Sequence, residues 1–275
     1  MLYMNARTIV GVLLAGALVA LLSLGSTSSY SLFNGGTALL SDFREESVTA
    51  SAVLVSNMET GEVLFARAED EVFSIASVSK LFTAHVAHQS EAIDDPVLIV
   101  WQDFVTEGTA GALWLGESYT IRELLFPLLL SSSNDAGAAI LRTLGTTYFS
   151  SALSDVYADA GLDNTTIADP TGLTAGNRST ARELARFLVY LKKNDGYVLD
   201  ITALDSYLGT YRGWINNSPA KPYDAFRGGK HGYTPVAGRT FAGLFEAEGE
   251  LYAIVLLGSD DLSGDLEKAV ALLPQ

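Results

Sequence analysis

Strand-like stretches at opposite ends of the chain constrain its fold more than any other feature. Val48–Ala66 contains apolar runs on either side of a turn signal at Gly61, which is typical of a hairpin. Arg239–Ser259 has the same pattern around Gly249, and the patterns between the two stretches are mostly helical. We predict an α/β (α+β) fold: an antiparallel sheet built from N- and C-terminal strands, flanked by helices, with a helix-rich middle subdomain. Two separate small domains are the alternative, but no linker divides the chain.

Capping signals mark helix starts in the middle of the chain. Thr120 precedes Glu123, and Thr180 precedes Glu183, at the spacing of a capping box. Pro127 lies inside the first of these helices. Because proline lacks a backbone N–H, we expect the helix to kink or end there.

The N-terminus has the features of an export segment. Arg7 is followed by the apolar, uncharged stretch Ile9–Leu24, which is typical of a secretory signal or a membrane anchor. A bilayer-spanning helix needs about 20 residues, so the stretch is short for an anchor and both alternatives stay open. We predict a signal peptide or N-terminal membrane anchor in residues 1–26, a flexible tether in residues 27–47 and one folded domain in residues 48–275. The folded domain would lie at the extracytoplasmic face of the cell membrane, anchored or secreted.

Composition excludes several classes of protein. Hydrophobic residues make up 48% of the chain, so a large core is possible and global disorder is not expected. The net charge is −15, and the sequence shows no basic cluster beyond Lys192 and Lys193, which argues against nucleic-acid binding. Cysteine is absent, which excludes disulfides, thiolate metal sites and a cysteine nucleophile.

Two histidines have the spacing of a possible metal site. His85 and His88 are three residues apart in a helical segment, so both could ligate one ion. No third ligand is evident, and we therefore predict an ordinary pair on the helix surface, with no metal.

A serine and a lysine stand together at the start of an apolar helix. Ser77 and Lys80 share one helix face. Serine needs an adjacent base to act as a nucleophile, and lysine can be that base when burial or another cation lowers its pKa. The backbone N–H groups of the helix start suit a developing oxyanion. A first-turn serine beside a snorkelling lysine is the alternative, because this motif alone is common.

Two further motifs make the catalytic interpretation much stronger. Ser132 and Asn134 form a Ser-x-Asn motif in a loop, and Lys230 with Gly232 forms a Lys-x-Gly motif that opens a strand. Each motif alone could be a turn or a cap. In this order and spacing they resemble the serine penicillin-recognising enzymes, which share the β-lactamase/transpeptidase-like fold.

The residues that surround the three motifs make the resemblance more specific. It is similar to the low-molecular-weight penicillin-binding proteins, the D-alanyl-D-alanine carboxypeptidases of the peptidase S11 type, from about Ala50 to the last helix. The matching stretches are TGEVLFARAEDEVFSIASVSKLFTA, LGESYTIRELLFPLLLSSSNDAGAAIL, DPTGLTAGNRSTARELARFL and GGKHGYTPVAGRTFAGLFE.

The resemblance implies a role for each motif residue. Ser77 would attack the carbonyl of the penultimate D-alanine and form an acyl-enzyme, and Lys80 would take its proton. Ser132 would relay a proton to the leaving amine, and Asn134 would hold the Lys80 side chain and the substrate amide. Lys230 would add positive potential, and no metal or cofactor is expected.

The resemblance also implies a substrate-binding strand. The oxyanion hole would be the backbone N–H groups of Ser77 and Tyr233. The substrate-binding residues would be Lys230, His231, Gly232, Tyr233 and Thr234.

The chain departs from the family pattern at two places. His231 stands where the family has threonine, and the segment DDLSGDLEK lacks the arginine that relatives often carry for the substrate carboxylate. We expect His231 to bind this carboxylate, best as imidazolium, because the protonated ring adds positive charge. An unperturbed histidine has a pKa of about 6.5, which Lys230 would lower and a bound carboxylate would raise.

The leading functional hypothesis is a serine D-Ala-D-Ala carboxypeptidase that trims peptidoglycan stem peptides and is acylated by β-lactam antibiotics. A β-lactamase would need a glutamate-bearing loop, whereas the corresponding stretch IADPTGLTAGN contains Asp169 and no glutamate. A DD-endopeptidase that uses the same site stays open. A penicillin- or peptidoglycan-binding pseudoenzyme is the non-enzymatic alternative.

Overall fold

Strands from both ends of the chain form one antiparallel sheet. The computed structural model describes residues 48–104 and 111–275. Its strands are β1 (Ala52–Asn57), β2 (Val63–Arg67), β3 (Phe73–Ser74), β4 (Pro96–Leu98), β5 (Ser118–Thr120), β6 (Arg178–Ser179), β7 (Ser206–Leu208), β8 (Gly213–Ile215), β9 (Phe226–Thr234), β10 (Gly238–Ala247) and β11 (Glu250–Ser259). The large sheet has the order β2-β1-β11-β10-β9, and the short strands pair as β3-β6, β4-β5 and β7-β8. The predicted fold class is confirmed.

The helices occupy the middle of the chain and its last segment. They are α1 (Lys80–His88), α2 (Ile121–Leu130), α3 (Asn134–Leu144), α4 (Thr146–Ala160), α5 (Ala181–Asn194), α6 (Gly196–Ala203) and α7 (Leu262–Val270). Short 3₁₀ turns lie at Ala76–Ser79 and Trp101–Asp103.

Both faces of the sheet are covered. Leu54 of β1 and Val255 of β11 belong to the same buried cluster as Leu184 of α5, and α5 contacts β1, β10 and β11. Helix α7 contacts β10 and β11 as well. Because both faces are buried, β10 and β11 contain nearly continuous apolar runs rather than strict alternation.

Of the two predicted capping boxes, the one at Thr120 is complete and the one at Thr180 is half formed. At Thr120 the box is complete, since its hydroxyl accepts from the Glu123 N–H and the Glu123 carboxylate accepts from the Thr120 N–H. The Thr180 hydroxyl accepts from the Glu183 N–H, but the Glu183 carboxylate binds the Asn164 N–H instead. The second box is therefore only half formed.

Helix α2 does not end at Pro127. It continues to Leu130, and the Pro127 carbonyl accepts from the Ser131 hydroxyl and the Ser133 N–H. Proline removes a single intrahelical bond, while the residues around it are fully buried. Tertiary packing therefore outweighs the local signal for a helix end.

The prediction of a surface histidine pair is wrong. His85 is only 4% exposed, and its Nδ1 lies 2.8 Å from one carboxylate oxygen of Asp195. His88 Nδ1 lies 2.7 Å from the other oxygen. Asp195 separates α5 from α6 and is distant in sequence, so the local pattern could not indicate this cluster. In residues 48–104 and 111–275, no group of three or more side chains could hold a metal ion.

The predicted signal or anchor (residues 1–26) and tether (residues 27–47) lie outside the described residues, so both stay predictions. Within the described ranges, no helix is long and apolar enough to cross a bilayer.

Candidate active site

The Ser77–Lys80 pair lies where the 3₁₀ turn Ala76–Ser79 continues directly into α1. This junction sets the two side chains on one face, and Lys80 Nζ lies 2.8 Å from Ser77 Oγ. Ala76 has a φ of +47°, a strained conformation for a residue with a Cβ, and such strain is often found at functional sites. The predicted pairing of hydroxyl and amine is present.

Lys80 is completely buried, with 0% exposure. Its Nζ lies 2.8 Å from Asn134 Oδ1 and 2.5 Å from the carbonyl oxygen of Thr171. Burial, and then the charge of Lys230, hold the pKa of Lys80 well below its usual range, against an opposing effect of Asp169. The folded protein therefore favours the neutral amine.

A neutral amine can also satisfy the partners of Lys80. Such a nitrogen has two N–H groups and one lone pair. Asn134 Oδ1 and the Thr171 carbonyl can only accept, so they take the two N–H groups. The Ser77 hydroxyl donates to the Thr171 carbonyl at 3.3 Å, and it must turn towards Lys80 Nζ, 2.8 Å away, before the lone pair can take its proton.

Asn134 and Ser132 approach the pair from the start of α3. Ser133 caps this helix by accepting from the Ala136 N–H at 3.0 Å, which fixes Asn134 in the first turn. Ser132 has a φ of +61° and lines the same cavity as Ser77 and Asn134. The loop thus presents the two predicted polar residues of its motif to one cavity.

Strand β9 forms the opposite wall of the site, and its backbone packs against Ser77. A Cβ added to Gly232 would lie 2.4 Å from the Ser77 nitrogen and 3.0 Å from the Ala76 Cβ. Only glycine fits at that distance. The glycine of the Lys-x-Gly motif therefore sets how closely β9 approaches Ser77.

Lys230 is buried beside this contact, with 1% exposure. Its Nζ donates to the His231 carbonyl at 2.8 Å. Burial lowers the pKa of Lys230 to about 7, so its charge is present at slightly acidic pH and is lost above neutrality.

The ligand-free site disfavours the imidazolium form that was expected for His231. Burial, together with the charges of Lys230 and Lys80, lowers the pKa of His231 to about 2. Its Nδ1 is buried without a hydrogen-bond partner among the described residues. An N–H at that position would be left unsatisfied, which favours the neutral tautomer with its proton on Nε2.

A cavity of about 260 Å³ brings the predicted residues together. Its lining consists of Ser77, Ser132, Asn134, Leu173, Asn217, His231, Gly232, Tyr233 and Thr234. Lys80 and Lys230 lie behind this lining, fully buried. Leu173 and Asn217 were not predicted from the sequence.

Sequence reasoning also missed the loop that holds Lys80. Asp169 Oδ1 accepts from the Thr171 N–H and hydroxyl and from the Gly172 N–H. Its Oδ2 accepts from Thr174 and from Asn177 Nδ2. These bonds fix the loop so that the Thr171 carbonyl meets Lys80. The available signal was Asp-x-Thr-Gly, since aspartate often bonds the backbone two residues further on.

Replacing Asp169 with asparagine is expected to destabilise the protein by about 1–3 kcal/mol, because an amide NH₂ would face N–H donors. Burial raises the pKa of Asp169, but bonds from Thr171 and Thr174 outweigh it and hold the pKa below its ordinary 3.8. The folded state therefore favours the carboxylate, so its stabilising effect is present above this pH and is lost as the pH falls below it.

Chemical denaturation between pH 2.5 and 7 measures this prediction. The Asp169→Asn variant should lose part of the acid dependence below pH 4 that the parent shows. Asp163→Asn, at an exposed position on the preceding segment, should behave like the parent. Equal stability of the two variants at pH 7 would contradict the role given to Asp169.

Comparisons with known proteins agree with this geometry. Residues 41–260 match the protein family described as D-alanyl-D-alanine carboxypeptidase, peptidase S11. A D-alanyl-D-alanine endopeptidase of Pseudomonas aeruginosa PAO1 is 34% identical over 149 residues, which are 53% of this chain and 48% of that protein. The D-alanyl-D-alanine carboxypeptidase DacB2 of Mycobacterium tuberculosis H37Rv is 28% identical over 217 residues, 76% of this chain and 74% of that protein.

The solved structures support the same relationship. The crystal structure of a D-alanyl-D-alanine carboxypeptidase from Mycobacterium tuberculosis H37Rv superimposes with a TM-score of 0.74 at 26% identity, covering 82% of this chain and 89% of that one. The first two curated relatives, both D-alanyl-D-alanine endopeptidases, are matched over about half of their length. Because the family match spans most of the chain, this protein belongs to the D-alanyl-D-alanine carboxypeptidase family, peptidase family S11.

Proposed function

We propose that this protein is a serine-type D-Ala-D-Ala carboxypeptidase that removes the terminal D-alanine from peptidoglycan stem peptides. The observation that carries the proposal is the buried Lys80 amine, 2.8 Å from the Ser77 hydroxyl that lines the cavity. A neutral amine beside a serine is the arrangement that activates a nucleophile without a metal or an organic cofactor. The family and the carboxypeptidases named above support the choice of substrate.

In the first half of the reaction, Lys80 takes the Ser77 proton as Ser77 Oγ attacks the carbonyl carbon of the penultimate D-alanine. The backbone N–H groups of Ser77 and Tyr233 stabilise the oxyanion. The intermediate collapses as the C–N bond breaks, and protonated Lys80 gives its proton through Ser132 to the leaving amine, which returns Lys80 to its neutral form. Free D-alanine and an ester on Ser77 result.

In the second half, a water molecule takes the position of the D-alanine that has left. Lys80 accepts a proton from the water as its oxygen attacks the ester carbonyl, and Ser77 recovers its proton when the ester bond breaks. Asn134 holds Lys80 throughout, because Asn134 Oδ1 accepts from the amine in its neutral and protonated forms. The shortened stem peptide leaves with a new carboxylate.

The strand residues bind the substrate in this proposal. Lys230, while protonated, keeps Lys80 neutral and attracts the terminal carboxylate. His231 donates its Nε2–H to that carboxylate as a neutral imidazole. Gly232, Tyr233 and Thr234 complete the wall along which the peptide lies. An exported location fits this substrate, because peptidoglycan lies outside the cytoplasmic membrane.

A DD-endopeptidase is the second candidate, because two relatives carry that name. The same acyl-enzyme chemistry would then cleave a cross-link instead of releasing D-alanine. A β-lactamase is disfavoured, because both oxygens of Asp169 are bonded within their own loop and cannot activate a deacylating water.

The test uses the full chain with a pentapeptide that ends in D-Ala-D-Ala, a cross-linked muropeptide dimer and benzylpenicillin. We expect release of one D-alanine from the pentapeptide, a slower reaction with the dimer, and a covalent penicillin adduct that peptide mapping locates to Ser77. A faster reaction with the dimer would favour the endopeptidase. An adduct on Ser74, Ser79 or Ser132, or no adduct and no product, would refute the proposal.

A further inference from the structure

The catalytic cavity has no permanently charged cation in its wall, as far as the described residues show. Its lining contains neither arginine nor lysine. The two lysines behind the wall are buried, and burial lowers the pKa of both Lys80 and Lys230. A substrate that ends in a carboxylate therefore meets a wall whose nearest positive charges are buried and have lowered pKa values.

Arg239 is a permanently charged residue that contacts one residue of this wall, Tyr233. On β10 it lies directly opposite Tyr233 of β9, and its guanidinium carbon lies 5.5 Å from the centroid of the Tyr233 ring. Tyr233 lines the cavity and is 61% exposed. The guanidinium thus makes a cation–π contact with a ring that belongs to the cavity wall.

The strand register places Arg239 on the same side of the sheet as the carboxylate-binding candidates. Side chains two residues apart on a strand share a face, so Tyr233 and His231 point the same way. Directly opposed residues of an antiparallel pair also share a face, which adds Arg239 to that side. The cation therefore lies in line with His231 along one face of the strands.

The guanidinium of Arg239 can still contact a substrate anion. Its one hydrogen bond among the described residues joins Nη1 to the Asp260 carbonyl at 3.2 Å. It forms no ion pair within residues 48–104 and 111–275, whereas the exposed Arg227 of β9 is paired with Glu246. An exposed arginine that faces a ring rather than a carboxylate can still bind an anion bidentately.

We propose that Arg239, supported by the Tyr233 ring, is a specificity-determining residue that selects substrates with a free terminal carboxylate. The proposal rests on the proposed carboxypeptidase function, since it assigns the cation that recognises the end of that substrate. It predicts that the enzyme distinguishes a peptide acid from the corresponding amide through a residue outside the three motifs.

The experiment compares a peptide ending in D-Ala-D-Ala with the same peptide as its C-terminal carboxamide. The measured quantity is the ratio of kcat/KM for acid over amide. In Arg239→Gln we expect this ratio to fall about 10-fold, the effect of losing one charge-assisted contact at a partly exposed site. Arg239→Lys keeps the charge and should recover part of the ratio. In the parent the ratio should also fall with added salt, because salt screens exposed charges.

Arg186→Gln is the matched control. Arg186 is also exposed, and its guanidinium also donates to one backbone carbonyl at 3.2 Å, that of Gly161. It does not line the catalytic cavity, so this variant should keep the parental ratio.

An unchanged ratio in a folded, active Arg239→Gln protein would overturn the assignment. An equal fall in Arg186→Gln would overturn it as well, because it would indicate a general effect of net charge. If the parent hydrolyses neither peptide and penicillin leaves no adduct on Ser77, the carboxypeptidase proposal itself has failed, which is a distinct result.

Discussion

Replacing Lys80 with arginine is expected to slow acylation of Ser77 by penicillin by about 10²–10⁴-fold, the contribution of a positioned general base. Arginine keeps a positive charge but cannot give up its proton near neutral pH. Lys80 in the folded protein is held towards the neutral form by burial and by Lys230. The substitution therefore replaces a base with a permanent cation. A fluorescent penicillin followed by rapid mixing measures the rate.

Two variants separate this effect from misfolding. A buried arginine is costly, so Lys80→Met removes the base with a neutral side chain of similar length and should lose acylation equally. Lys221→Arg is the matched control, because Lys221 is partly exposed and paired with Asp205. Thermal unfolding verifies that each protein is folded. Acylation by a folded Lys80 variant within about threefold of the parent would show that Lys80 only supports the structure.

Replacing Gly232 with alanine is expected to have the second-largest effect. The new Cβ would lie 2.4 Å from the Ser77 nitrogen, so β9 and the 3₁₀ turn must separate. Overpacking of this kind costs about 1–3 kcal/mol of stability. A displacement of about 1 Å at the reacting groups can cost roughly 10²-fold in rate, and we expect a loss of at least that size in acylation.

Gly196→Ala provides the comparison for this prediction. A Cβ at Gly196 meets nothing within 4 Å, and alanine favours the helix α6 that begins there, so stability should be unchanged or higher. Penicillin acylation and the unfolding free energy are measured for both variants. Parental acylation by Gly232→Ala would mean that the approach of β9 to Ser77 is not needed for the reaction.

Local patterns predicted the architecture and the Ser77–Lys80 pairing, whereas the other site residues came from the resemblance to a known family. Ser77 and Lys80 were predictable because a helix start fixes their relative position, whereas Gly232 was expected only as part of the substrate-binding strand. The sheet was predictable from the hairpin signals at both ends of the chain. The Ser77–Lys80 spacing and the hairpin turns each have a physical cause within a few residues of their effect.

The parts that could not be predicted depend on contacts between distant residues. Asp195 binds His85 across 110 positions, and the Thr171 carbonyl meets Lys80 across 91 positions. No spacing rule links such pairs. The size of the pKa shift of His231 could not be predicted for the same reason, because burial and the charge of Lys80 add to the effect of its neighbour Lys230.

The pairing of β1 with β11 also has a consequence for how the chain folds. Ala52 lies opposite Leu257 in this pair, so the central contact of the sheet joins residues about two hundred positions apart. Contacts of such long range make folding slow. The sheet cannot close until the last strands have been synthesised, and β9 then has a partner that can hold it against Ser77. The newly made chain is therefore expected to stay open during most of its synthesis, and catalytic competence should arise in one late cooperative step.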